Sequence, residues 1–335
     1  MGILVTGCAG FIGHATCLAL LNQGKNVIGI DNLNDYYAVT LKQDRLDQLV
    51  KHKDFSFHRI DIADYEALDA VFENNDITTV IHLAAQAGVR YSIDNPSAYV
   101  QSNLVGFGNI LETCRHHTVE HLIFASSSSV YGANTTYPFK ETDNVDHPMS
   151  FYAATKKSNE LMAHTYSSLY QLPCTGLRFF TVYGPWGRPD MAPMIFANKI
   201  HKEQPIDVYN HGDMVRDFTF IDDIVDGIIK SSNNIPNRDP NWSGISPNPA
   251  TSYAPYRIYN IGNGSPEKLM DFIEALEHEL GKQAIINYLP IQPGDVPKTA
   301  ADIDHLANDC AYQPSTRIQE GVKRFIAWYK AYYSI

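Results

Sequence analysis

The sequence predicts an α/β fold in which a doubly wound parallel sheet carries a smaller, interleaved α+β lobe. Short apolar runs alternate with helix-length amphipathic segments from residue 2 to about residue 178, a pattern typical of a parallel sheet with helices on both faces. A glycine-rich turn follows the first of these runs. The alternation thins out after residue 178, and a chain of 335 residues is long enough for a second lobe.

Six apolar runs in the first half are the predicted strands, and they lie at 3–5, 27–30, 55–60, 79–82, 121–125 and 174–177. Between them apolar residues recur three and four positions apart, as at Ile12, Thr16 and Leu20, which predicts helices. The second half predicts a strand turning into a helix at 215–231, capped by Asp222 or Asp223. A further strand is predicted at 257–261, and further helices are predicted at 193–201, 265–280 and 316–333.

The charge balance disfavours nucleic-acid binding, because 26 Lys and Arg residues stand against 37 Asp and Glu residues, a formal net charge of −11. No run approaches the ~18 apolar residues that a membrane span needs, so no membrane partner is expected. The five cysteines show no CxxC pair and no His/Cys ligand spacing, which predicts buried thiols in a cytoplasmic protein without a metal site. His116 and His117 are expected to be solvated.

The residues TGCAGFIG at 6–13 place Gly7, Gly10 and Gly13 between the first strand and the first helix. Small residues there let backbone amides and a helix N-terminus approach a pyrophosphate, as in the Rossmann fold. The second strand ends at Asp31, 24 residues after Gly7, where a carboxylate accepts hydrogen bonds from a ribose diol and repels a 2′-phosphate. The unit therefore predicts a site for NAD rather than NADP.

A tyrosine and a lysine, Tyr152 and Lys156, are spaced one helical turn apart after a serine-rich segment, SSSSVYG at 126–132, that ends the fifth strand. Open α/β sheets bind their ligands at this edge. Lowering the pKa of a tyrosine from about 10 to about 7 requires about 4 kcal/mol. One cation at about 4 Å supplies a contribution of that order, so we expect Lys156, with help from an oxidised nicotinamide, to make Tyr152 a general base.

Together these motifs resemble the extended short-chain dehydrogenase/reductase family over essentially the whole chain. The residues that carry the resemblance are TGCAGFIG, Asp61-Ile62, LAAQAGVR at 83–90, SSSSVYG, YAATK at 152–156 and RDFTFIDD at 216–223. Within that family the chain resembles UDP-glucuronate 4-epimerases. Three strings carry this finer resemblance, and they are DNLNDYY at 31–37, RFFTVYGPWGRPDMAP at 178–193 and QPGDVPKTAAD at 292–302. The resemblance implies a nucleotide-sugar enzyme with tightly bound NAD.

The resemblance also implies site residues, position by position. The implied cofactor-binding residues are Gly7, Gly10, Phe11, Ile12, Gly13, Asp31, Asn32, Asp61, Ile62, Leu83, Ala84, Ala85, Tyr152 and Lys156. The implied catalytic residues are Tyr152 as the base, Lys156 as its electrostatic partner and Ser127 as the hydrogen-bond partner of the reacting hydroxyl. The implied substrate contacts are Ser127, Arg216 at the diphosphate, Asp295 at the ribose, Arg90 and Thr181.

Arg188, in the GRPDMA loop, is the predicted clamp for a uronic acid, because a guanidinium grips a carboxylate through two parallel hydrogen bonds. The implied activity is NAD-dependent 4-epimerisation of UDP-glucuronate to UDP-galacturonate through a transient 4-keto sugar. Such an intermediate is a β-keto acid, and a held carboxylate keeps the bond that would release carbon dioxide poorly aligned.

Two alternatives stay open, a UDP-glucuronate decarboxylase and another UDP-sugar 4-epimerase. Both share the NAD cofactor and the first half-reaction with a UDP-glucuronate 4-epimerase. A dehydratase is disfavoured, because Ser128 and Ser129 stand where such enzymes carry an Asp-Glu pair. A catalytically silent NAD-sensing regulator is less expected, because Ser127, Tyr152 and Lys156 are all present.

The implied organisation is a dinucleotide-binding domain at 1–178, with contributions from about 215–232 and 257–262. An interleaved UDP-sugar-binding lobe would comprise 179–214 and 233–335. Helices around 95–117 and 149–171 are rich in Leu, Met, Tyr and Phe, and the family pairs such helices across a two-fold axis, which implies a homodimer. The product would serve polysaccharide biosynthesis.

Overall fold

Seven parallel strands form the central sheet of the computed structural model, which describes residues 2–292 and 294–335. In chain order the strands are β1 (Gly2–Thr6), β2 (Val27–Ile30), β3 (Phe55–His58), β4 (Ile77–His82), β5 (His121–Ser127), β6 (Cys174–Phe179), β7 (Thr181–Tyr183), β8 (Ile206–Val208), β9 (Val215–Arg216), β10 (Phe218–Phe220), β11 (Tyr256–Ile261), β12 (Glu267–Lys268) and β13 (Ile286–Tyr288). The large sheet has the order β11-β6-β5-β4-β1-β2-β3. The strand order reverses between β1 and β4, which opens a crevice at the carboxyl ends of these strands.

The α-helices divide between the two faces of this sheet and the smaller lobe. They are α1 (Phe11–Asn22), α2 (Val39–Leu49), α3 (Tyr65–Glu73), α4 (Tyr91–Asp94), α5 (Pro96–Tyr99), α6 (Gly106–His116), α7 (Phe151–Tyr170), α8 (Ala192–His201), α9 (Ile221–Ser232), α10 (Leu269–Leu280), α11 (Asp304–Cys310) and α12 (Ile318–Tyr333). One apolar core joins the sheet to α3, α6 and α7, and another joins it to α1, α9 and α11. The predicted doubly wound sheet is confirmed.

A third apolar core belongs to the smaller lobe, in which α8, α10 and α12 pack against three two-stranded sheets. These sheets pair β10 with β7, β12 with β9 and β13 with β8. Phe11, at the start of α1, belongs to the same core, so the lobe packs directly against the first helix of the large sheet.

Local sequence explains where several elements begin. The side chain of Asp64 accepts a hydrogen bond from the backbone of Ala67 and caps α3, and Ser150 caps α7 in the same way at Ala153. Strands β2 and β6 are buried along their whole length, as expected for central parallel strands covered on both faces.

The predicted cap of α9 is wrong. The helix begins at Ile221 without a side-chain cap, so Asp222 and Asp223 lie in its first turn. The carboxylate of Asp223 instead accepts hydrogen bonds from the backbone amides of Ser315 and Thr316, both at 3.1 Å, and so ties down the segment before α12. The predicted start of α10 at residue 265 is also too early, because Glu267–Lys268 pairs with β9 as a strand.

Four of the five cysteines are buried as predicted, but Cys310 is only partly buried. His116 is exposed, whereas the Nε2 atom of His117 lies 2.8 Å from the Oδ1 atom of Asp69, so the expectation of a solvated pair is wrong for His117. Within residues 2–292 and 294–335, no three His, Cys, Asp or Glu side chains are grouped to hold a metal ion. Among the helices of the same ranges, none combines the length and apolarity of a membrane span.

Candidate active site

A cavity of about 870 Å³ begins in the crevice between β1 and β4 and extends to the smaller lobe. Every residue to which the sequence assigned a cofactor-binding, catalytic or substrate-binding role lines it. The lining includes Gly7 in the turn after β1, Tyr152 on α7 and Arg188 in the loop before α8. The predicted residues are therefore brought together, although several of them engage one another in ways that the sequence did not indicate.

The glycine turn fits a pyrophosphate. The backbone of Gly7 has φ of +72°, and a Cβ atom on Gly13 would lie 2.0 Å from the carbonyl oxygen of Gly7, so the turn closes only with glycine at these positions. Helix α1 follows with Gly10 as its N-cap and no side-chain cap. The first-turn amides of α1, those of Phe11, Ile12 and Gly13, have no partner within the helix, which leaves an N-terminus suited to an anion.

Asp31 lies buried at the end of β2, where burial raises the pKa of its carboxyl. Its two oxygens accept hydrogen bonds from the backbone amides of Ala9 at 3.1 Å and Leu33 at 2.8 Å. A carboxylate has about four acceptor positions, so both oxygens keep capacity for a ribose diol. Beside it, the amide of Asn32 donates to Asp61 at 2.8 Å, which holds these two predicted cofactor contacts together.

The reactive cluster lies where β5 ends and α7 begins. Tyr152 and Lys156 share a face of α7, and the Nζ atom of Lys156 donates to the carbonyl oxygen of Ala125 at 2.8 Å. Ser127, at the end of β5, lines the same cavity as Tyr152. The structure thus brings the predicted hydroxyl partner and the predicted base to one site.

Burial sets the net direction of both titrations. It raises the pKa of Tyr152 above its usual value and outweighs the lowering by Ser127 and by the positive charge of Arg188. Burial lowers the pKa of Lys156 to about 8. The protein's own groups therefore do not produce the lowered Tyr152 pKa that the sequence predicted from Lys156, and the lowering cation among them is Arg188.

Two of the four consecutive serines, Ser126 and Ser127, are told apart by their partners. The hydroxyl of Ser126 donates to the Oε1 atom of Glu160 at 2.6 Å and is committed to the interior. The hydroxyl of Ser127 accepts from the backbone amide of Ser129 at 3.2 Å, and Ser127 lines the cavity with Tyr152. Its hydroxyl can still donate, so Ser127 rather than Ser126 is suited to bind a sugar hydroxyl.

Arg188 lines the cavity, but its fork is already engaged. Its Nε atom donates to the Oδ1 atom of Asp190 at 3.1 Å, and its Nη2 atom donates to the Oδ2 atom of the same carboxylate. A second bond from Nη2 reaches the carbonyl oxygen of Ala87 at 3.4 Å. Asp190 therefore occupies the Nε–Nη2 edge of the guanidinium in this structure, and the role of Arg188 as a clamp for a uronic acid stays a prediction.

The remaining substrate candidates lie around the mouth and the smaller lobe. Arg90 forms an ion pair with Asp295 at 3.5 Å, so these two predicted contacts bridge the cavity. The Nη1 atom of Arg216 donates to the carbonyl oxygens of Val215 and Pro297. Thr181 lines the cavity from the start of β7.

Among the cavity residues that sequence reasoning missed are Tyr36, Lys42, Asp190 and Tyr209. A signal existed for Tyr36 and Asp190, because both stand inside strings that resemble UDP-glucuronate 4-epimerases. No signal existed for Lys42, because a lysine among polar residues of α2 is expected to be solvated. It is nevertheless buried, and its Nζ atom donates to the carbonyl and side-chain oxygens of Asn34 at 2.6 and 2.7 Å.

A buried arginine joins the glycine turn to the loop that carries Arg188. The Nη1 atom of Arg45 donates to the carbonyl oxygen of Ala9 at 3.0 Å. Its Nη2 atom donates to the carbonyl oxygens of Trp186 at 2.6 Å and Gly187 at 3.3 Å. One side chain from α2 therefore fixes the distance between the two loops that line opposite parts of the site.

The family model described as the NAD dependent epimerase/dehydratase family matches residues 3–262. The chain belongs to this family. It is 57% identical to the Staphylococcus aureus protein CapI, with 99% of each chain covered. It is 48% identical to a probable UDP-glucuronate 4-epimerase of Rhizobium meliloti, with 99% of this chain and 98% of that protein covered.

Solved structures of the epimerase family share this fold. A crystal structure of UDP-glucuronic acid 4-epimerase from Bacillus cereus, in complex with UDP-glucuronic acid and NAD, superposes with a TM-score of 0.89. It is 33% identical in sequence and covers 99% of this chain and 100% of that one. The predicted family and the predicted fold class are confirmed for this member of the epimerase family.

Proposed function

We propose that this chain interconverts UDP-glucuronate and UDP-galacturonate by inverting C4 of the sugar, with NAD as its resident cofactor. The observation that carries the proposal is a single cavity lined by a glycine turn, by Tyr152 with Ser127, and by Arg188. The turn suits a dinucleotide, the Tyr152–Ser127 pair suits a reacting hydroxyl, and the guanidinium suits a uronic acid. The named relatives support the same activity.

NAD would be held by the glycine turn, by Asp31 with Asn32 and by Lys156. The first-turn amides of α1 would bind the pyrophosphate, since they have no partner within the helix. When bound, NAD supplies a hydride acceptor that returns the hydride to the sugar. Tight binding would be favoured because Arg45 donates to the carbonyl oxygen of Ala9 and Phe11 packs in the core of the smaller lobe, so the turn is held in place before NAD binds.

Tyr152 would take the proton of the C4 hydroxyl and give it back after the sugar has turned over. Ser127 would hold that hydroxyl in line with the phenol oxygen, since both residues line the cavity where β5 ends and α7 begins. Lys156 would keep a positive charge beside the site at neutral pH, because its pKa is about 8. These roles are complementary, since the proton, the hydroxyl and the charge are each held by a different side chain.

The nucleotide would be anchored by Arg216 at the diphosphate and Asp295 at the ribose, with Arg90 and Thr181 nearby. An anchored nucleotide leaves the sugar free to rotate, so one site can present either face of the ring to the same groups. We also propose the predicted division of labour, in which 179–214 and 233–335 form the UDP-sugar lobe. The cores of the structure support it, because residues of α8, α10 and α12 share one core.

We further propose a homodimer paired through α6 and α7. Leu161 and Leu169 lie on one face of α7 with 58% and 65% of their surfaces exposed, and a second copy of the helix pair would cover them. The five free thiols favour the cytoplasm as the compartment. The product is an activated uronic acid, and we propose that polysaccharide biosynthesis consumes it.

The testing experiment is incubation of the purified protein with UDP-glucuronate and no added cofactor, followed by NMR of the products. UDP-galacturonate with its carboxylate intact is the expected product, and the Tyr152→Phe variant should form none. A UDP-pentose with released carbon dioxide would replace the proposal by the decarboxylase. Turnover of UDP-glucose at a higher rate than UDP-glucuronate would replace it by another UDP-sugar epimerase.

A further inference from the structure

The DNLNDYY string at 31–37 reaches from the cofactor side of the cavity to Arg188. Its first residue, Asp31, belongs to the dinucleotide site, but Tyr36 has no role in the function proposed above. The hydroxyl of Tyr36 donates to the Oδ2 atom of Asp190 at 3.1 Å. Asp190 in turn holds the fork of Arg188, so the three side chains form one chain of hydrogen bonds along the cavity wall.

The guanidinium has three nitrogens, and two of them are used. Nε and Nη2 donate to the two oxygens of Asp190, and Nη2 also reaches the carbonyl oxygen of Ala87. Nη1 makes no hydrogen bond to another residue in the part of the chain that the structure describes. Asp190 therefore fixes the plane of the guanidinium and leaves its Nη1 edge for a ligand.

Tyr36 is itself held in place by its surroundings. Its ring packs against Tyr91 with a centroid distance of 4.8 Å and lies 6.0 Å from the guanidinium carbon of Arg188. Gly88, with φ of +117°, passes so close that a Cβ atom there would lie 3.1 Å from the Tyr36 hydroxyl. The hydroxyl therefore has little freedom to leave Asp190.

We infer that Tyr36 and Asp190 are positioning residues that hold Arg188 in one orientation, so that its Nη1 edge fixes the direction of the sugar carboxylate. The inference deepens the proposed function and rests on it. Asp190 is already a counter-ion for Arg188, so the substrate carboxylate meets a guanidinium whose charge is largely balanced. Its grip then depends on direction more than on net attraction.

Orientation matters because the 4-keto uronic acid can lose carbon dioxide. In that step the C5–C6 bond breaks, its electron pair passes into the 4-keto group as an enolate, and water supplies a proton to C5. The bond breaks readily only when it stands perpendicular to the carbonyl plane. A fixed guanidinium edge keeps the carboxylate, and with it the C5–C6 bond, away from that alignment.

The test compares the product ratio of Tyr36→Phe, Asp190→Asn and Arg188→Ala with that of the wild type, using UDP-glucuronate and NMR. Tyr36→Phe removes one hydroxyl without changing charge and should raise the decarboxylated share of product about fivefold. Asp190→Asn should raise that share at least tenfold. Calorimetry of UDP-glucuronate should show at least tenfold weaker binding in Arg188→Ala, a change of no more than twofold in Tyr36→Phe, and equal or tighter binding in Asp190→Asn, which removes the counter-ion of Arg188.

Tyr91→Phe is the matched control, because its hydroxyl accepts from Asn95 and takes no part in the chain from Tyr36 to Arg188. An unchanged product ratio in Tyr36→Phe and Asp190→Asn, with an active wild type, would overturn the positioning role alone. Binding as weak in Tyr36→Phe as in Arg188→Ala would also overturn it, since Tyr36 would then be a direct ligand. A wild type that forms no UDP-galacturonate would overturn both this inference and the proposed function.

Discussion

Arg178 and Glu160 form a two-pronged ion pair in the interior, with hydrogen bonds of 2.8 Å from Nε to Oε1 and 3.0 Å from Nη2 to Oε2. The pair joins β6 to α7 one helical turn beyond Lys156. Ser126 donates to the same carboxylate, so the pair also holds the end of β5, where Ser127 begins the reactive segment. The catalytic helix and the serine strand are thus fixed to one buried charge pair.

Breaking this pair should cost much stability. Arg178→Met removes the two-pronged partner of the buried Glu160 carboxylate and leaves only the longer ion pair with Lys157 at 3.8 Å, so we expect a loss of about 3–5 kcal/mol in the free energy of unfolding. Urea unfolding followed by circular dichroism measures it. The double variant Arg178→Met/Glu160→Met should recover most of the loss, and Asp222→Ala, which breaks an exposed pair with Arg324, should cost about 0–1 kcal/mol. A small loss in Arg178→Met would contradict the expectation.

The stability of the chain should fall in mild acid, partly because of His14. Burial lowers the pKa of His14 to about 3, and neither ring nitrogen has a hydrogen-bond partner among the described residues. The unfolded state therefore takes up the proton near pH 6.5, so this contribution is complete above pH 6.5 and is lost toward pH 3, at about 1.4 kcal/mol per pH unit. His14→Phe keeps the packing on Trp186 and should flatten the fall in free energy between pH 6.5 and 5.

His116→Gln is the control for that experiment, because its side chain is half exposed in the folded protein. Unfolding free energies of all three proteins at pH 5, 6 and 8 give the slopes. Equal slopes in the wild type and His14→Phe would show that His14 contributes nothing to the acid sensitivity.

Turnover should decline in alkaline solution. Lys156 has a pKa of about 8, so its positive charge is present below pH 8 and is lost above it, whereas the proton acceptor form of Tyr152 grows as pH rises. The two opposite effects predict a rate maximum and an alkaline fall. Lys156→Met should lower kcat by about 10²–10⁴-fold and abolish the alkaline fall in the kcat–pH profile. An alkaline fall of the same midpoint in that variant would assign it to another group.

The glycine turn should not tolerate one added methyl group. A Cβ atom on Gly13 would lie 2.0 Å from the carbonyl oxygen of Gly7, so Gly13→Ala must push the turn apart. We expect loss of bound NAD, measured by absorbance and mass after gentle release, in protein that remains folded. Gly108→Ala in α6 meets only the Met162 methyl at 3.6 Å and should keep the cofactor. Full cofactor content in Gly13→Ala would contradict the pyrophosphate role.

A charge on the exposed face of α7 should prevent dimerisation. Leu161→Glu places a carboxylate where a second copy would pack, and light scattering after gel filtration should report a monomer. Thr165→Glu adds the same charge on the same face without removing an apolar side chain. Comparison of the two variants therefore separates the effect of the charge from the loss of Leu161. A dimer of unchanged affinity in Leu161→Glu would place the interface elsewhere.

The strands of the sheet could be predicted because each leaves a local pattern. The runs at 27–30 and 174–177 contain no charged residue, and such runs have few alternatives to a buried parallel strand. The start of α9 could not be predicted, because the carboxylate of Asp223 binds the amides of Ser315 and Thr316, which lie 92 and 93 residues later in the chain. The sequence around Asp223 gives no sign of partners so distant along the chain.

The site shows the same division. The spacing of Tyr152 and Lys156 follows from helix periodicity alone, and both line the cavity. The raised pKa of Tyr152 does not follow from helix periodicity, because the burial that raises it depends on the whole fold. Nor could the sequence reveal that Asp190, two residues after Arg188, turns back onto its guanidinium, since an i,i+2 pair in a loop has no fixed geometry.

The Arg45 bridge between Ala9 and the Trp186–Gly187 peptides has a consequence for recombining this chain with its relatives. A chimera that takes its amino-terminal half from one relative and its carboxyl-terminal half from another receives Arg45 and the loop at 184–190 from different proteins. Such a chimera should keep the spacing of the two loops only when residue 45 is an arginine and the backbone at 184–190 has the same conformation in both proteins.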